Sequence, residues 1–490
     1  MKNNVFYFVT GSQNLYGDET LKLVARDSKI IAEFLNKHKE NPCKIEWVDT
    51  AKSKQEISDI VLKANNDKNC AGLILWMHTF SPAKMWIDGL LSLNKPFLHL
   101  HTQANKEIPF KEIDMDFMNL NQSAHGDREF GFIATRLRLS RKVVTGYFQD
   151  NNVTSQVFSW MRVASAYKFS KHLKVVRVGD NMRDVAVTEG DKVEAQIKLG
   201  WSVDGYGVGD IISYIDKVTQ KEIDALVESY KKEYKFVTNN IESVRVQAKY
   251  EIAFERMLKE LNASAVTTTF ENLYNLEQLP GLSMQRLMGK GYGFAGEGDW
   301  KTSALTALVK YMGSGIKGGT SFMEDYTYHM GENSFILGAH MLEICPSIAV
   351  GDVLVDVKPL GIGGKADPAR LRFKGPKGEA IVLTLVDMGD RFRLIANKID
   401  LIHTEDMPNL PVAQIAWKPR PSLDVSATAW IYAGGAHHSV LSTQVSETEI
   451  RDFAEMANIE YILIDEFTKI NDFKTNLLNS DIIWKLKGLK

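Results

Sequence analysis

The chain has 490 residues, with 59 lysines and arginines against 61 aspartates and glutamates, and a formal net charge of -2. Because the two signs are interspersed, no broad positive field exists to bind nucleic acid or an anionic membrane. Hydrophobic residues make up 44% and charged residues 24%, which is typical of globular proteins and excludes a disordered chain. At about 150 residues per domain, the length predicts roughly three domains.

The first third of the chain alternates between β and α patterns. Strand-like runs at VFYFVTGS, KIEWVD and AGLILWM surround a segment with helical spacing of apolar residues, LKLVARDSKIIAEFLNKH. This order predicts a parallel sheet with crossover helices, in which ligands gather at the carboxyl ends of the strands. We therefore expect the loops TGSQNLYG, MHTFSPAKM and HTQAN to contribute to function.

The middle and the end of the chain differ in character. HLKVVRVGDNMRDVAV opens a second α/β region, which continues through DALVESYKKEY, YEIAFERMLKELN and ASAVTTTF. From about residue 330 the pattern is mainly β, and AIVLTLVDMGDRFRLIANKIDLI reads as two strands joined at MGD. We predict a hairpin turn at KGPKGE and a last helical segment at ETEIRDFAEMANI. The expected domains are 1–170 and 171–330, both α/β, and 331–490, mostly β.

The cysteines and the apolar runs bear on the cellular compartment. Cys43, Cys70 and Cys345 are far apart and form no C-x-x-C pair, which argues against a disulfide framework and a cysteine zinc site. The apolar run at the N-terminus is too short for a signal sequence, and no segment has the length that crosses a bilayer. We expect a cytoplasmic protein with reduced thiols.

Four glycine-associated segments in the second half carry unusual polar residues. They are GYGFAGEGDW with Glu297 and Asp299, GGTSFMEDYTYH with Glu324 and Asp325, LGAHMLE with His340 and Glu343, and YAGGAHHS with His437 and His438. Taken singly, each acid is interpreted as a solvated residue in a turn or in the first turn of a helix. His340 alone is interpreted as a buried histidine that is hydrogen-bonded to the backbone. Brought together by folding, two carboxylates and two imidazoles would suit Mn²⁺, Co²⁺ or a similar ion.

Other segments leave alternatives open. In FLHLH, His99 and His101 share one face of a predicted strand, where they could bind a metal or present polar groups to a substrate. The cluster from Asn119 to His125 could bind sugar hydroxyls or its own loop backbone. No G-x-G-x-x-G follows a predicted strand, and GIGGKADPARL is not a Walker motif, so nicotinamide and phosphate ligands are disfavoured.

Many long segments resemble the bacterial L-arabinose isomerases, in the same order and along nearly the whole chain. They are GSQNLYG, HTFSPAKMWI, MDFMNLNQSAHGDREFGF, GDNMRDVAVT, QRLMGKGYGFAGEGDWKT, GGTSFMEDYTYH, HMLEICPS, LGIGGKADPARL and AGGAHH. The resemblance implies the fucose-isomerase-like fold, with two α/β domains of parallel sheets followed by a mostly β, barrel-like domain. It also implies a homohexamer with active sites between subunits.

The same resemblance implies an activity and a set of site residues. The activity is the interconversion of L-arabinose and L-ribulose through an enediolate, the first step of arabinose catabolism, with D-galactose to D-tagatose as a related reaction. One Mn²⁺ per subunit, replaceable by Co²⁺ or Mg²⁺, would be held by Glu297, Glu324, His340 and His438. The two glutamates would act as acid and base. The implied sugar contacts are Gln13, Leu15, His125 from a neighbouring subunit, Met182, Phe270, Ile362 and His437.

Competing interpretations remain at this point. One is a fucose-type ketol isomerase or a metal-dependent sugar lyase, which would share the metal ligands and differ in the pocket. Another is a non-catalytic sugar-binding protein, which would bind sugar without metal and without conversion.

Overall fold

The computed structural model describes residues 1, 3–361 and 363–488. The chain divides into two compact units, Met1–Lys168 and Phe169–Lys490. None of the helices within the described residues is long and apolar enough to span a membrane.

The first unit is built around a parallel sheet. The strands of the sheet are β1 (Val5–Gly11), β2 (Lys44–Ala51), β3 (Cys70–Met77), β4 (Phe97–His101) and β5 (Lys142–Thr145). The helices of the unit are α1 (Gly17–Lys37), α2 (Lys54–Asn66), α3 (Ile87–Ser92), α4 (Met115–Leu120), α5 (Ser123–Arg136) and α6 (Asn151–Ser170). The last of these helices, α6, ends two residues past the unit boundary. The strand order is β2-β1-β3-β4-β5. Every residue of the central β3 is buried, as expected for a parallel strand covered on both faces. The predicted parallel sheet is confirmed.

At the carboxyl edge of this sheet, one buried carboxylate gathers the strand ends. Asp127 of α5 accepts hydrogen bonds from Met77 N–H (3.0 Å), His99 Nε2 (2.9 Å) and His101 Nδ1 (2.8 Å). The two histidines of FLHLH therefore bind the same carboxylate and anchor α5 to the edge of the sheet.

The second unit begins with another parallel sheet. Its strands are β6 (Lys174–Val178), β7 (Ser202–Tyr206), β8 (Lys235–Phe236), β9 (Ala265–Thr268) and β10 (Gly293–Ala295), and its helices are α7 (Lys192–Leu199), α8 (Val208–Ile215), α9 (Gln220–Glu233), α10 (Ile241–Glu260), α11 (Leu282–Gly289) and α12 (Trp300–Met312). Four of the strands pair in the order β10-β9-β6-β7, all in parallel. β8 pairs elsewhere, in parallel with Leu354 and Val355 of the following region.

A closed antiparallel barrel follows. The strands of this part of the chain, six of which form the barrel, are β11 (Thr320–His329), β12 (Phe335–Ala339), β13 (Val350–Val357), β14 (Ala369–Lys374), β15 (Gly378–Asp387), β16 (Phe392–Ile402), β17 (Ile415–Pro419), β18 (His438–Ser442) and β19 (Glu460–Ile464). The helices are α13 (Leu423–Tyr432), α14 (Glu447–Ala457) and α15 (Ile470–Gly488). The barrel order is β15-β18-β11-β12-β17-β16, and pairing of β15 with β16 closes it. β19 pairs in parallel with the first half of β16, whereas β17 pairs with the second half of the same strand. This confirms the predicted fold class.

Two predictions about this region are wrong. KGPKGE is not a hairpin turn, because β14 pairs with β13 whereas β15 belongs to the barrel. After β14 the backbone instead bonds to a distant segment, with Gly375 N–H donating to Gln414 O at 3.0 Å. ETEIRDFAEMANI forms α14, but it is not the last helix, since α15 follows it, and the prediction also missed α13 and β19.

The barrel and the parallel sheet of the second unit share one core. α12 is buried along most of its length and packs against β10 on one side and β11 and β18 on the other. Phe294 of β10 meets Phe322 of β11 edge to face, with ring centroids 5.9 Å apart. This continuous core fixes the β10–α12 turn against the barrel strands.

Candidate metal centre

The turn between β10 and α12 carries the first candidate ligand. Glu297 has a φ of 60°, a left-handed conformation that is uncommon for a residue with a side chain. The residues on either side, Gly296 and Gly298, leave no room for a side chain because other atoms lie close to their backbone. A Cβ on Gly296 would lie 2.9 Å from His340 Cε1, and one on Gly298 would lie 2.6 Å from Asn181 Cα. The AGEGDW motif therefore packs its backbone closely against His340 and the Asn181 backbone, with Glu297 between the two glycines.

Asp299 ends this turn and begins α12. It is the N-cap residue, and it accepts hydrogen bonds from Thr302 N–H at 3.1 Å and from the Thr302 hydroxyl at 2.7 Å. Its Oδ2 also lies 3.1 Å from His438 Nδ1. One buried carboxylate thus fixes both the start of the helix and a histidine ring.

The barrel strands supply the remaining candidates through their register. Glu324 in β11 is paired with Ala339 at the end of β12 on one side and with His438 at the start of β18 on the other. His340 directly follows Ala339. Neighbouring strands therefore bring Glu324, His340 and His438 to one end of the barrel.

Three of the four predicted ligands converge. Glu297, His340 and His438 each offer a ligand atom, and these atoms all lie within 4.8 Å of one another. Glu297 Oε2 is 3.8 Å from His438 Nε2 and 3.2 Å from His437 Nε2. The carboxylate of Glu324 does not belong to this group, although its backbone pairs with His438. His437 contacts Glu297 directly.

Both imidazoles are oriented by acids. His340 Nδ1 lies 2.5 Å from Glu343 Oε2, and His438 Nδ1 lies 3.1 Å from Asp299 Oδ2. An ionised carboxylate only accepts, so each Nδ1 carries a proton, and in the neutral imidazole the lone pair is then on Nε2. Among the described residues, the buried His438 Nε2 has no hydrogen-bond partner. A divalent cation fits this arrangement, since it would satisfy that nitrogen with an O/N donor set.

The cluster lies among aromatic rings. His340 and His438 are 2% and 0% exposed. The ring of Phe322 packs between them, with centroids 4.8 Å and 5.0 Å away. Phe270 stacks on the other side of His340 at 6.0 Å. Water is excluded from the backs of both imidazoles, which strengthens electrostatic interactions at the cluster.

The predicted sugar contacts fall into two groups. Met182 and Phe270 lie beside the cluster, because Met182 N–H donates to Glu297 O at 3.0 Å and Phe270 stacks on His340. Ile362 lies outside the described residues.

Gln13, Leu15 and His125 belong to the first unit. Leu15 is 84% exposed, and His125 is exposed at the start of α5. The His125 ring packs on Phe80 with centroids 4.6 Å apart, and its Nδ1 lies 3.1 Å from Gln122 Oε1. These contacts fix the orientation of the His125 ring.

Charge interactions tune the acids of the cluster. Burial alone would raise the pKa of Glu297, but the hydrogen bond with His437 and the neighbouring imidazoles lower it overall. Burial opposes ionisation of Asp299 as well, yet Lys301, His438 and Thr302 lower its pKa to about 2. The pKa of the half-buried Asp325 rises to about 7, because desolvation and the neighbouring Glu324 charge both oppose its ionisation. Glu297 and Asp299 are therefore anionic at neutral pH.

The sequence analysis named Asp299 and Glu343 but did not predict that they orient the two imidazoles. Each follows a ligand closely, at two residues after Glu297 and three after His340, and this short spacing was the available signal. The part played by Phe322 had no signal in the sequence, since an aromatic residue in a strand is usually core.

Comparison with known proteins gives the same picture. The model of the L-arabinose isomerase N-terminal domain matches residues 1–172, that of the central domain 174–315 and that of the C-terminal domain 319–460. L-arabinose isomerase from Geobacillus stearothermophilus is 54% identical over 488 residues, covering 98% of each chain. The Clostridium beijerinckii and Thermotoga sp. (strain RQ2) enzymes of that name are 54% and 52% identical, each over 99% of both chains.

The fold, the cluster and these relatives together define the class: the protein is an aldose–ketose isomerase. Similarity extends over all three parts of the chain and is not confined to the site. The chain belongs to the L-arabinose isomerase family.

Proposed function

We propose that this isomerase interconverts L-arabinose and L-ribulose at the Glu297–His340–His438 cluster, in arabinose catabolism. One Mn²⁺ per subunit, replaceable by Co²⁺ or Mg²⁺, would be held there, with Glu324 as the fourth ligand. The observation that carries the proposal is the convergence of a carboxylate and two imidazoles whose ligand atoms lie within 4.8 Å. The printed names of the relatives support the choice of sugar.

The bound ion would supply Lewis-acid stabilisation of the negative charge that develops on the sugar oxygens. Glu297 and Glu324 would move the hydrogen between C1 and C2 as proton acceptor and donor. Glu297 is ionised at neutral pH and can therefore accept a proton. Burial opposes its ionisation, but the hydrogen bond with His437 and the charges of the neighbouring imidazoles together lower its pKa. General acid–base catalysis of this kind contributes typically about 10²–10⁴-fold.

The sugar would be bound by residues around the cluster and by a neighbouring subunit. Met182, Phe270 and His437 lie next to Glu297 or His340, which supports their proposed contact with the substrate. We include Gln13, Leu15, His125 and Ile362 among the sugar contacts. His125 would come from the neighbouring subunit of a homohexamer, so that the active sites lie between subunits. The same site would also convert D-galactose to D-tagatose.

We also propose three domains, 1–170, 171–330 and 331–490, and a cytoplasmic location. The change from parallel sheet to barrel falls between α12 and β11, which supports a second boundary in this part of the chain but groups β11 with the barrel.

The first experiment compares turnover with and without metal. Purified protein is dialysed against chelator and assayed for ketulose formation from L-arabinose before and after Mn²⁺ is added. Glu297→Gln and Glu324→Gln are measured in parallel and are expected to lose at least about 10²-fold in kcat. Circular dichroism melting checks that both variants remain folded.

Glu332→Gln is the matched control, because Glu332 is an exposed glutamate between β11 and β12. It should keep wild-type turnover. Ketulose formation that persists after chelation would contradict the metal role. Near-normal turnover in either glutamate variant would contradict the acid–base role. Sugar binding without conversion, in the presence of Mn²⁺, would favour the binding-protein interpretation.

A further inference from the structure

The C-terminal helix α15 is apolar on two opposite faces. Phe473 and Leu477 are buried in a small core with Ala429 and Ala433 of the α13 region. Leu478, Ile482 and Leu486 are 65%, 59% and 61% exposed. A helix that only covers its own unit needs one apolar stripe, with polar residues on the outer face. The second stripe of α15 is therefore largely uncovered by the described residues.

The exposed residues form an ordered seam. Leu478, Ile482 and Leu486 recur every four residues, so each step rotates by about 40° and advances by about 6 Å. The seam is therefore about 80° wide and about 12 Å long. Ile483, 52% exposed, lies beside its centre. Leu477, on the buried face, is about 140° away from Ile482.

We propose that this seam is the contact site for α15 of a second copy of the chain, packed antiparallel across a two-fold axis at Ile482. In that arrangement Leu478 of one copy lies level with Leu486 of the other, and Ile482 faces its own counterpart. A two-fold contact uses the same patch on both subunits, so the patch must match its own reverse. The spacing of four residues on each side of Ile482 has this property.

The charges beside the seam are also self-complementary. Asp481 and Lys485 lie on the same flank of α15, and a two-fold axis brings like flanks of the two helices together. Lys485 of one copy is then offset by two residues, about 3 Å along the axis, from Asp481 of the other. Asp481 is held in place by Arg393 Nη2 at 3.1 Å and keeps 43% of its side chain exposed. Its carboxylate can therefore accept a hydrogen bond from a partner lysine.

The width of the seam favours a helix over a lipid surface. A membrane-surface helix inserts a broad apolar face, whereas a narrow stripe is the pattern of a helix–helix seam. Here the opposite face is already buried in the protein core, and polar Thr475 and Asn479 border the stripe. The proposed contact adds a defined surface to the oligomer and does not depend on the residues of the proposed active site.

The test measures particle mass by light scattering after size-exclusion chromatography. Ile482→Glu places two carboxylates against each other on the two-fold axis, and we expect the mass of the wild-type particle to halve. Asn476→Glu is the matched control, since Asn476 is exposed on the same helix about 120° from the seam. It should leave the mass unchanged. An unchanged mass for Ile482→Glu, or a monomeric wild type, would overturn the proposal.

A second variant guards against misfolding of the first. Cys43, Cys70 and Cys345 are buried, so Ile482→Cys introduces an exposed thiol. Mild oxidation should yield a species of twice the chain mass on a non-reducing gel, whereas Asn476→Cys should not. Absence of this crosslink overturns the pairing. The wild type is also sedimented with phosphatidylcholine–phosphatidylserine vesicles. If it sediments with them, and Ile482→Glu abolishes this without changing the particle mass, the proposed helix pairing is overturned in favour of lipid binding. Turnover of L-arabinose is recorded separately, so loss of the proposed function remains distinguishable.

Discussion

Replacing Asp299 by asparagine should separate metal binding from helix capping. Asparagine is about as good an N-cap as aspartate, and its side-chain oxygen can still accept from Thr302 N–H, which is 3.1 Å away. Near His438, however, the amide nitrogen of the asparagine would take the place of Asp299 Oδ2, so that Nδ1 of the imidazole would face a donor and not an acceptor. The imidazole then bonds best as the other tautomer, with Nδ1 accepting and the proton on Nε2. That proton occupies the lone pair that faces Glu297 and His340.

Two magnitudes follow from the structure. Loss of a carboxylate that orients a metal-binding histidine typically lowers metal affinity about 10–100-fold, or about 1.4–2.7 kcal/mol. The pKa of the buried Asp299 is lowered from 3.8 to about 2, which at about 1.4 kcal/mol per unit corresponds to about 2 kcal/mol of stability at neutral pH. The variant should therefore bind Mn²⁺ weakly and unfold at lower urea concentration.

Calorimetric titration of chelator-treated protein with Mn²⁺ measures the first effect, and urea unfolding of the metal-free protein measures the second. Asp191→Asn is the control, because Asp191 caps α7 through Val193 N–H and Glu194 N–H and lies outside the ligand cluster. An Asp299→Asn variant whose Mn²⁺ affinity stays within twofold of wild type would refute the tautomer argument. Equal loss of affinity in both variants would point to a general effect of helix capping.

Three further predictions concern the same unit. Gly296→Ala would place a Cβ 2.9 Å from His340 Cε1, and we expect at least tenfold weaker Mn²⁺ binding by calorimetry as the imidazole is displaced. Glu460→Gln breaks a buried cluster with Arg391 and Arg393 and should cost about 3 kcal/mol in urea unfolding at pH 7. Although burial opposes it, hydrogen bonding lowers the pKa of Glu460, so its stabilisation should be present above the unfolded value, about 4.3, and disappear as pH falls below it. Mn²⁺ at 100 times its Kd should stabilise the folded protein by about 2.7 kcal/mol, seen as a rise in Tm.

The controls for these predictions are also available in the chain. Gly289→Ala adds a Cβ 3.7 Å from Pro346 Cγ at the exposed end of α11 and should bind Mn²⁺ normally. Glu466→Gln removes a glutamate that pairs with Lys398 at the surface and should cost well below about 1 kcal/mol. Normal Mn²⁺ affinity in Gly296→Ala would contradict the close-contact argument. A stability gap between wild type and Glu460→Gln that stays constant down to pH 3 would contradict the assigned ionisation, and a Tm that Mn²⁺ does not change would contradict a site in the folded state.

The fold class could be predicted because the strands of the parallel sheets are short, apolar and separated by helical periodicity. The connections between different sheets could not be predicted in this way. KGPKGE has hairpin composition, but the pairing of its flanks is decided by Gln414, which lies far along the chain. α15 escaped prediction for a different reason: its apolar residues lie on two faces, which removes the single stripe by which an amphipathic helix is identified.

The site illustrates the same limit. Glycine-associated acids and histidines identified the segments, and the resemblance identified residues within them. The spacing of residues along the sequence could not predict which side chains meet, because contacting residues such as His437 and Glu297 are 140 residues apart. The pairing of His438 with Asp299 and of His340 with Glu343 depends on where three barrel strands begin and end. Those ends are the least predictable part of any element.

The position of β18 in the barrel links folding to function. It is the last barrel strand in chain order, and it inserts between β15 and β11 with His438 as its first residue. The imidazole therefore reaches Glu297 and His340 only when the barrel is closed. During synthesis, the earlier ligands emerge more than ninety residues before this strand, so a chain stalled in between holds an incomplete donor set. A cation held at the proposed site would therefore bind fully only after the barrel is complete, and its binding would stabilise the position of the final barrel strand.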